Sequence, residues 1–437
     1  MTHATLPGQG VVFWPVGTGD STTIVAGDRL VMQVDLRDMA SADEGDAGVA
    51  PVIDRLAATL PALADGAPYL AVFALTHGDL DHCCGFGDLL DSDILIGELW
   101  ATPRLWRELA DGQEPCPDAQ RFHDEAKRRV TATLKAVATG RVPASGDRIR
   151  IIGYDEDRDD QPYADLPDED FTYPGEAITS LDGQDVSDRF EAFVHAPFRG
   201  DCAGERNETS LAMQVTLRAD DGTTGHLLLL GDLSYVTLKK IFDYSEYHDR
   251  PERLAWDVML AAHHCSKKVM YAPDDAGDEE LKQDLLDQLE QHAGENAYVI
   301  ASSRPFRDAD QPGDNPPHLV ARDRYEEIVP NPLVCTGEYP DAEEPRPVVF
   351  GLEPGAGLVL LDPDDLEEGE RDAEAAKSAP GSGGALLAAF GGVALVAGAA
   401  WAARRRQQGG TAAVREAVEQ ERGTDAAPAT TVGFGRQ

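Results

Sequence analysis

Positive charge is what this chain has least of: 38 Lys and Arg stand against 79 Asp and Glu, a formal net charge of −41 over 437 residues, and most of the basic groups are arginines. A surface so acidic repels polyanions at long range. That counts against non-specific nucleic-acid binding and disfavours long duplex DNA as a partner, but it leaves room for a locally basic cleft. High net charge also suits solubility in high salt. Cysteine is scarce: six residues without a spaced framework, which excludes a disulfide-stapled small secreted domain. Cys83, Cys84 and Cys265 sit beside histidines, so a reducing compartment is expected. Residues 1–20 lack a basic start followed by an apolar stretch, so no secretory signal is read there.

What is present is an ordered alternation of apolar runs and turns, long enough to bury a sizeable core. Apolar runs at 10–16, 21–25 and 29–34, separated by turns at Gly17 to Asp20 and Gly27-Asp28, predict an antiparallel meander ending at Asp35. Val49, Val52, Ile53, Leu56, Leu60 and Leu63 recur with helical spacing behind Pro51. A strand over 69–75 follows, then one near 94–96, helices over 103–139 broken near Pro115 and Pro117, and a strand over 148–152. Lys127, Arg128, Arg129 and Lys135 on the second of these helices are read as a solvated face. Residues 155–189 are acidic, Pro-rich and aperiodic, and are expected as a surface insertion.

Further strands are predicted over 190–194, 211–217, 226–230, 256–262 and 297–301, with helices near 235–242 and 278–292 and after His318, and a hairpin at 348–361. The organisation expected is one domain over 1–362, an acidic then Pro/Gly/Ser-rich linker over 363–384, and a flexible tail over 404–437. Between them, residues 385–403 carry no charge and precede Arg404, Arg405 and Arg406. As a helix this run would be roughly 28 Å long, near a bilayer's apolar thickness, and a single transmembrane helix is expected. The positive-inside rule would put the arginines in the cytoplasm and the large domain outside. The missing signal and the reduced cysteines outweigh it, so the expected location is cytoplasm-facing and anchored through 385–403.

The chemistry concentrates where strands end. His77, Asp79, Asp81 and His82 fall within six residues after the 69–75 strand; Asp232 ends the 226–230 strand; His263 and His264 end the 256–262 strand. Imidazoles and carboxylates crowded at buried strand ends suffer repulsion and desolvation unless a divalent cation neutralises them. A binuclear site needs such a set, with a carboxylate between two ions.

Five elements in order resemble the metallo-β-lactamase superfamily, and within it the hydrolase domain of ComEC-type DNA-uptake proteins. Val16-Gly17-Thr18-Gly19-Asp20-Ser21 is similar to an opening VGxGDS turn, and Thr76 to Gly85 to an HxDxDHxxG loop. Asn207 to Leu211 resembles NxxSL, Leu229 to Asp232 resembles LxGD, and His263 to Lys267 resembles HHGSK with Cys265 in place of glycine. The resemblance implies an αββα sandwich of two mixed sheets flanked by helices. It implies that His77 and Asp79 hold one ion and Asp81, His82 and His264 the other, with Asp232 bridging. His263 competes with His264, which is the expected ligand. Asp79, where the superfamily more often has histidine, makes the site oxygen-rich and suits two divalent ions, Zn²⁺ or Mn²⁺.

By the same resemblance Asp20 and Asp35 would orient ligand histidines, and His318 would approach the substrate. Asn207 would contact a bound water or substrate, or cap a turn. Lys267 and Lys268 would meet a phosphate's charge, or lie exposed. His195 could supply a third histidine, although a core position is expected. Cys83, Cys84 and Cys265 are expected as small buried residues, with a thiolate ligand as the alternative. The function expected is a hydrolase whose metal-bridging hydroxide attacks a small or nucleic-acid-like phosphodiester. The alternatives are attack on an amide, thioester or lactone, or a non-catalytic membrane-tethered binding module.

Overall fold

A computed structural model describes residues 6–27, 30–39, 49–110, 114–198, 206–274 and 276–364. Two large mixed sheets dominate it. The nine-stranded sheet runs in the order Gly357–Leu360, Val348–Glu353, Gly10–Phe13, Thr22–Gly27, Leu30–Val34, Tyr69–Ala74, Leu95–Ala101, Arg148–Ile152, Phe171–Thr172. Pairing is antiparallel as far as Leu30–Val34 and parallel beyond it. The seven-stranded sheet runs Val334–Cys335, Ala293–Ala301, Trp256–Leu260, Thr224–Leu229, Ala212–Arg218, Phe190–Ala196, Ala177–Ile178. It too has a parallel part, from Val334–Cys335 to Thr224–Leu229, and an antiparallel part.

Strand alternation sends neighbouring side chains into different layers. Val11 and Phe13 join Val215, Leu227, Leu229 and Val258 in a core between the sheets. Val12 and Trp14 face the other way, with Phe73, Ile53, Leu56, Phe86 and Phe122, under the helices Val52–Thr59, Phe86–Asp91 and Pro117–Ala138. Leu228 and Met259 pack outward on Leu238, Phe242, Leu285, Leu289 and Tyr325 of the helices Tyr235–Tyr247, Gln283–His292 and Leu319–Ile328. Helices therefore cover the outer face of each sheet, consistent with the expected αββα sandwich. Each fully buried Phe, Leu or Val contributes about 1.5–3 kcal/mol to holding these layers.

The helix break predicted near Pro115 and Pro117 falls between Arg104–Ala110 and Pro117–Ala138. The second helix starts on Cys116, whose sulfur accepts Ala119 N, with Pro at the first position. Asp118 in its first turn also accepts Gly85 N and Gly87 N, clamping the end of the 76–85 loop. Arg129 is buried on Glu125 and the carbonyls of Gly97, Ile96 and Arg148, while Arg128 pairs with Glu125 and Asp147. Both serve the helix–sheet joint.

The 155–189 stretch corrects its expectation as a mere surface insertion. Phe171–Thr172 closes one sheet and Ala177–Ile178 the other, and Ile178, Leu181 and Val186 enter the inter-sheet core. Buried Asp182 accepts from Tyr69 Oη at 2.6 Å and pairs with Arg148 at 2.8 Å. Two-residue strands leave no period to detect. The linker beyond Asp364, the 385–403 run and the tail lie outside the described residues. Among the described residues no helix is long and apolar enough to cross a membrane.

Candidate metal centre

Six loops converge at one end of the two sheets because backbone hydrogen bonds stitch them together. Asp20 N donates to Asp81 O, Asp35 N to Ala74 O, Leu36 N to His82 O, Leu211 N to Thr76 O and His263 N to Gly231 O, all between 2.7 and 3.1 Å. Two glycines permit the close approach. At Gly19 (φ 155°) a Cβ would lie 2.7 Å from Asp81 O, and at Gly231 (φ 53°) one would lie 2.6 Å from Ser210 Cβ.

Asp20, His77, Asp79, Asp81, His82, Asp232 and His264 are all 4 % exposed or less. Asp232 is central. Its Oδ1 lies 3.1 Å from His82 Nε2 and 3.4 Å from His264 Nε2. Its Oδ2 lies 3.9 Å from His77 Nε2 and 3.7 Å from His263 Nε2. On the Oδ1 side, His264 also meets Asp81 Oδ2 at 3.0 Å and Asp20 Oδ1 at 3.2 Å. On the Oδ2 side, Asp79 Oδ2 is 3.6 Å from His77 Nε2.

Supporting groups fix these rings. Asp35 accepts His82 Nδ1 at 2.7 Å and Thr76 N and Oγ1 at 2.7 Å, which leaves His82 Nε2 facing Asp232. Ser210 Oγ lies 3.2 Å from His77 Nδ1 and accepts Asp232 N at 3.2 Å. Arg206 Nη1 donates to Asp79 Oδ1 at 2.7 Å.

The charges of the cluster act strongly on one another. Burial alone would raise the Asp232 and Asp20 carboxyls, but His264 and His82 hold both below the ordinary value. Burial would likewise lower His82 and His264. Asp232 with Asp35 pushes the first up, and Asp232 with Asp20 pushes up the second. His263 behaves differently: burial outweighs Asp232 and lowers it to about 4, leaving a neutral imidazole, the form in which histidine binds metal.

Whether a metal fits is tested by the partnerless atoms. Among the described residues, Asp20 Oδ1, His77 Nε2, His82 Nε2, Asp232 Oδ1 and His264 Nδ1 are buried without a hydrogen-bond partner. They face one another at ion-pair distance without a well-directed hydrogen bond, an arrangement that a cation between them would satisfy. Asp20, His82, Asp232 and His264 each present a ligand atom, all within 4.8 Å of one another. Nitrogen and carboxylate oxygen donors in one buried knot fit a divalent cation.

The segment carrying the histidine doublet is strained. His263, His264 and Cys265 have φ of 51°, 54° and 65°, three consecutive non-glycine residues in the left-handed region. That conformation costs roughly 1–2 kcal/mol per residue and is typically stored at working sites.

The structure thus brings together His77, Asp79, Asp81, His82, Asp232, His263 and His264. Asp20, expected as a supporting group, stands among the ligand-type atoms. Other expectations land elsewhere. Lys267 Nζ pairs with Glu279 at 2.8 Å on the surface, so it is spent away from the cluster. His195 Nε2 is 2.9 Å from Arg253 O and its ring packs on Phe193, a core role. His318 holds the following turn, with Nδ1 accepting Lys267 N and Nε2 meeting Asp314 O. Asn207 is half-buried at the start of a single 3-10 turn, and its carbonyl accepts Ser210 N and Oγ. Burial pushes the thiols of Cys84 and Cys265 well up, and the Cys116 sulfur with burial does so for Cys83, leaving neutral packing groups. Ser210 and Arg206 went unread in the sequence. Ser210 sits inside the NxxSL match and was within reach; an arginine in an Arg-dominated basic set carries no signal.

No protein-family model matches this chain, and no curated protein matches it. Among solved structures, the metallo-β-lactamase MIM-1 from Novosphingobium pentaromativorans is similar at 11 % identity and a TM-score of 0.26, over 59 % of this chain and 77 % of that one. At that identity and score the likeness adds no weight to the site described above.

Proposed function

We propose that this chain is a metal-dependent hydrolase of the metallo-β-lactamase type, resembling the ComEC-type branch, and that it cleaves a small or nucleotide-like phosphodiester. The observation that carries this is the buried knot of Asp20, His82, Asp232 and His264, whose ligand atoms lie within 4.8 Å of one another at the strand ends. Two divalent ions, Zn²⁺ or Mn²⁺, would supply acidification of water and positive charge against the charge developing on the substrate. Asp232 faces both sides and would be shared between the ions. Asp35 and Ser210 hold His82 and His77 with Nε2 turned inward. Arg206, 9 % exposed and paired with Asp79, would offer its guanidinium to an anionic substrate group. The phosphodiester rests on the HxDxDH resemblance and this arginine; the −41 net charge favours a small substrate over a polymer.

The test is turnover of bis(p-nitrophenyl) phosphate and of a thioester by the full chain loaded with Zn²⁺ or Mn²⁺. Phosphodiester turnover abolished by chelation and at least about 100-fold lower in Asp81→Ala is expected. Thioester turnover alone would move the assignment to carbonyl substrates. A fully metal-loaded chain inert to both overturns a hydrolase.

A further inference from the structure

The histidine doublet invites a choice between two rings for one ligand position, but the geometry gives each its own. In an extended strand adjacent side chains point to opposite faces. The left-handed run from His263 to Cys265 changes that, bringing both rings onto the Asp232 carboxylate, nearly perpendicular at 87° with centroids 6.2 Å apart. His264 Nε2 lies beside Oδ1, the oxygen that His82 Nε2 also approaches. His263 Nε2 lies beside Oδ2, the oxygen that His77 Nε2 also approaches. Each carboxylate oxygen is therefore flanked by two imidazoles, one from the 76–85 loop and one from the doublet. The Gly231 carbonyl fixes the register by accepting His263 N at 3.0 Å.

Resting on the metal centre proposed above, we propose that the doublet divides between two ions. His264 belongs with His82, Asp81 and Asp20. His263 completes the half formed by His77 and Asp79. With Asp232 shared, the second half would offer four protein donors, so a water or substrate oxygen there would take a fifth position.

The full chain, dialysed against Zn²⁺ and separately Mn²⁺, is analysed for bound metal, and Co²⁺ is titrated in to read ligand-field absorption. Asparagine tolerates left-handed φ, so His263→Asn and His264→Asn are the variants least prone to misfold, with circular dichroism as the fold check. Wild type should hold two ions. His263→Asn and Asp79→Asn should lose the same one, and its Co²⁺ bands, with a dissociation constant at least about 100-fold higher. His264→Asn and Asp20→Asn should lose the other. If His263→Asn keeps two ions of unchanged affinity and spectrum, or if wild type holds one ion that His263→Asn leaves untouched, the division is wrong. Wild type binding no metal would instead overturn the metal centre itself. Should His263→Asn misfold, His263→Gly, which adopts the left-handed φ without strain, replaces it with the same metal and Co²⁺ readouts and the same deciding outcomes.

Discussion

The two sides of the Asp232 carboxylate are built differently. On the Oδ1 side His264 lies 3.0–3.4 Å from Asp81, Asp20 and Asp232, His82 lies 3.1 Å from Asp232 but 3.9 Å from Asp81 and Asp20, and both rings are fully buried. On the Oδ2 side the corresponding distances are 3.6–3.9 Å, an arginine neutralises Asp79, and the His263 side chain is 13 % exposed. The compact side concentrates three carboxylates around two imidazoles and so has the stronger demand for a cation. The looser side brings its own positive charge and is where solvent reaches the cluster. On the function proposed above, the first side would hold its ion more tightly and the second would exchange its ion more readily.

Removing what the sides share should have the largest effect. Asp232→Asn is expected to empty both sides and lower turnover by at least about 100-fold, measured by metal analysis and steady-state kinetics. Asp35→Asn should strike the compact side alone: His82 loses its orienting carboxylate, and affinity for the tighter ion should fall about 10- to 100-fold while the looser ion is unaffected. Arg206→Gln should act on the looser side, raising KM several-fold and leaving the tight ion in place.

His195 serves as a control imidazole outside both sides. Burial lowers its pKa to about 4 in the folded chain, against about 6.5 unfolded, so between those values the unfolded chain binds the extra proton. Its stabilising contribution is complete above pH 6.5 and is lost as pH falls towards 4, on the order of 3 kcal/mol in all. His195→Gln should flatten that acid limb in urea titrations without changing metal content. The smallest effect is expected for Cys265→Gly. Relief of the left-handed strain at φ 65° offsets the lost burial of the thiol, for a net change within about 1 kcal/mol by thermal melting.

Much of this contrast is readable in the sequence because ligand-type residues cluster at the ends of apolar runs: His77, Asp79, Asp81 and His82 after one strand, Asp232 and His264 after two others. The sequence reads Asp20 as an orienting group, and its place among the ligand-type atoms depends on the long-range bond from its N–H to Asp81 O. The doublet was framed as a competition because adjacent residues ordinarily point apart; three left-handed residues in a row are not written in residue type when none of them is glycine. The 155–189 stretch was read as a surface insertion since two-residue edge strands show no period. Arg206 depends on a contact spanning 127 residues, which no local pattern encodes.

The central claim is that a divalent ion sits among Asp20, His82, Asp232 and His264. Anomalous diffraction from crystals of the full chain grown with Zn²⁺ or Mn²⁺ tests it directly. A strong peak is expected at bonding distance from His82 Nε2 and Asp232 Oδ1, with a second, weaker peak across the carboxylate near His77, Asp79 and His263. A saturated crystal with no peak among the first four residues, or with its metal elsewhere, would contradict it.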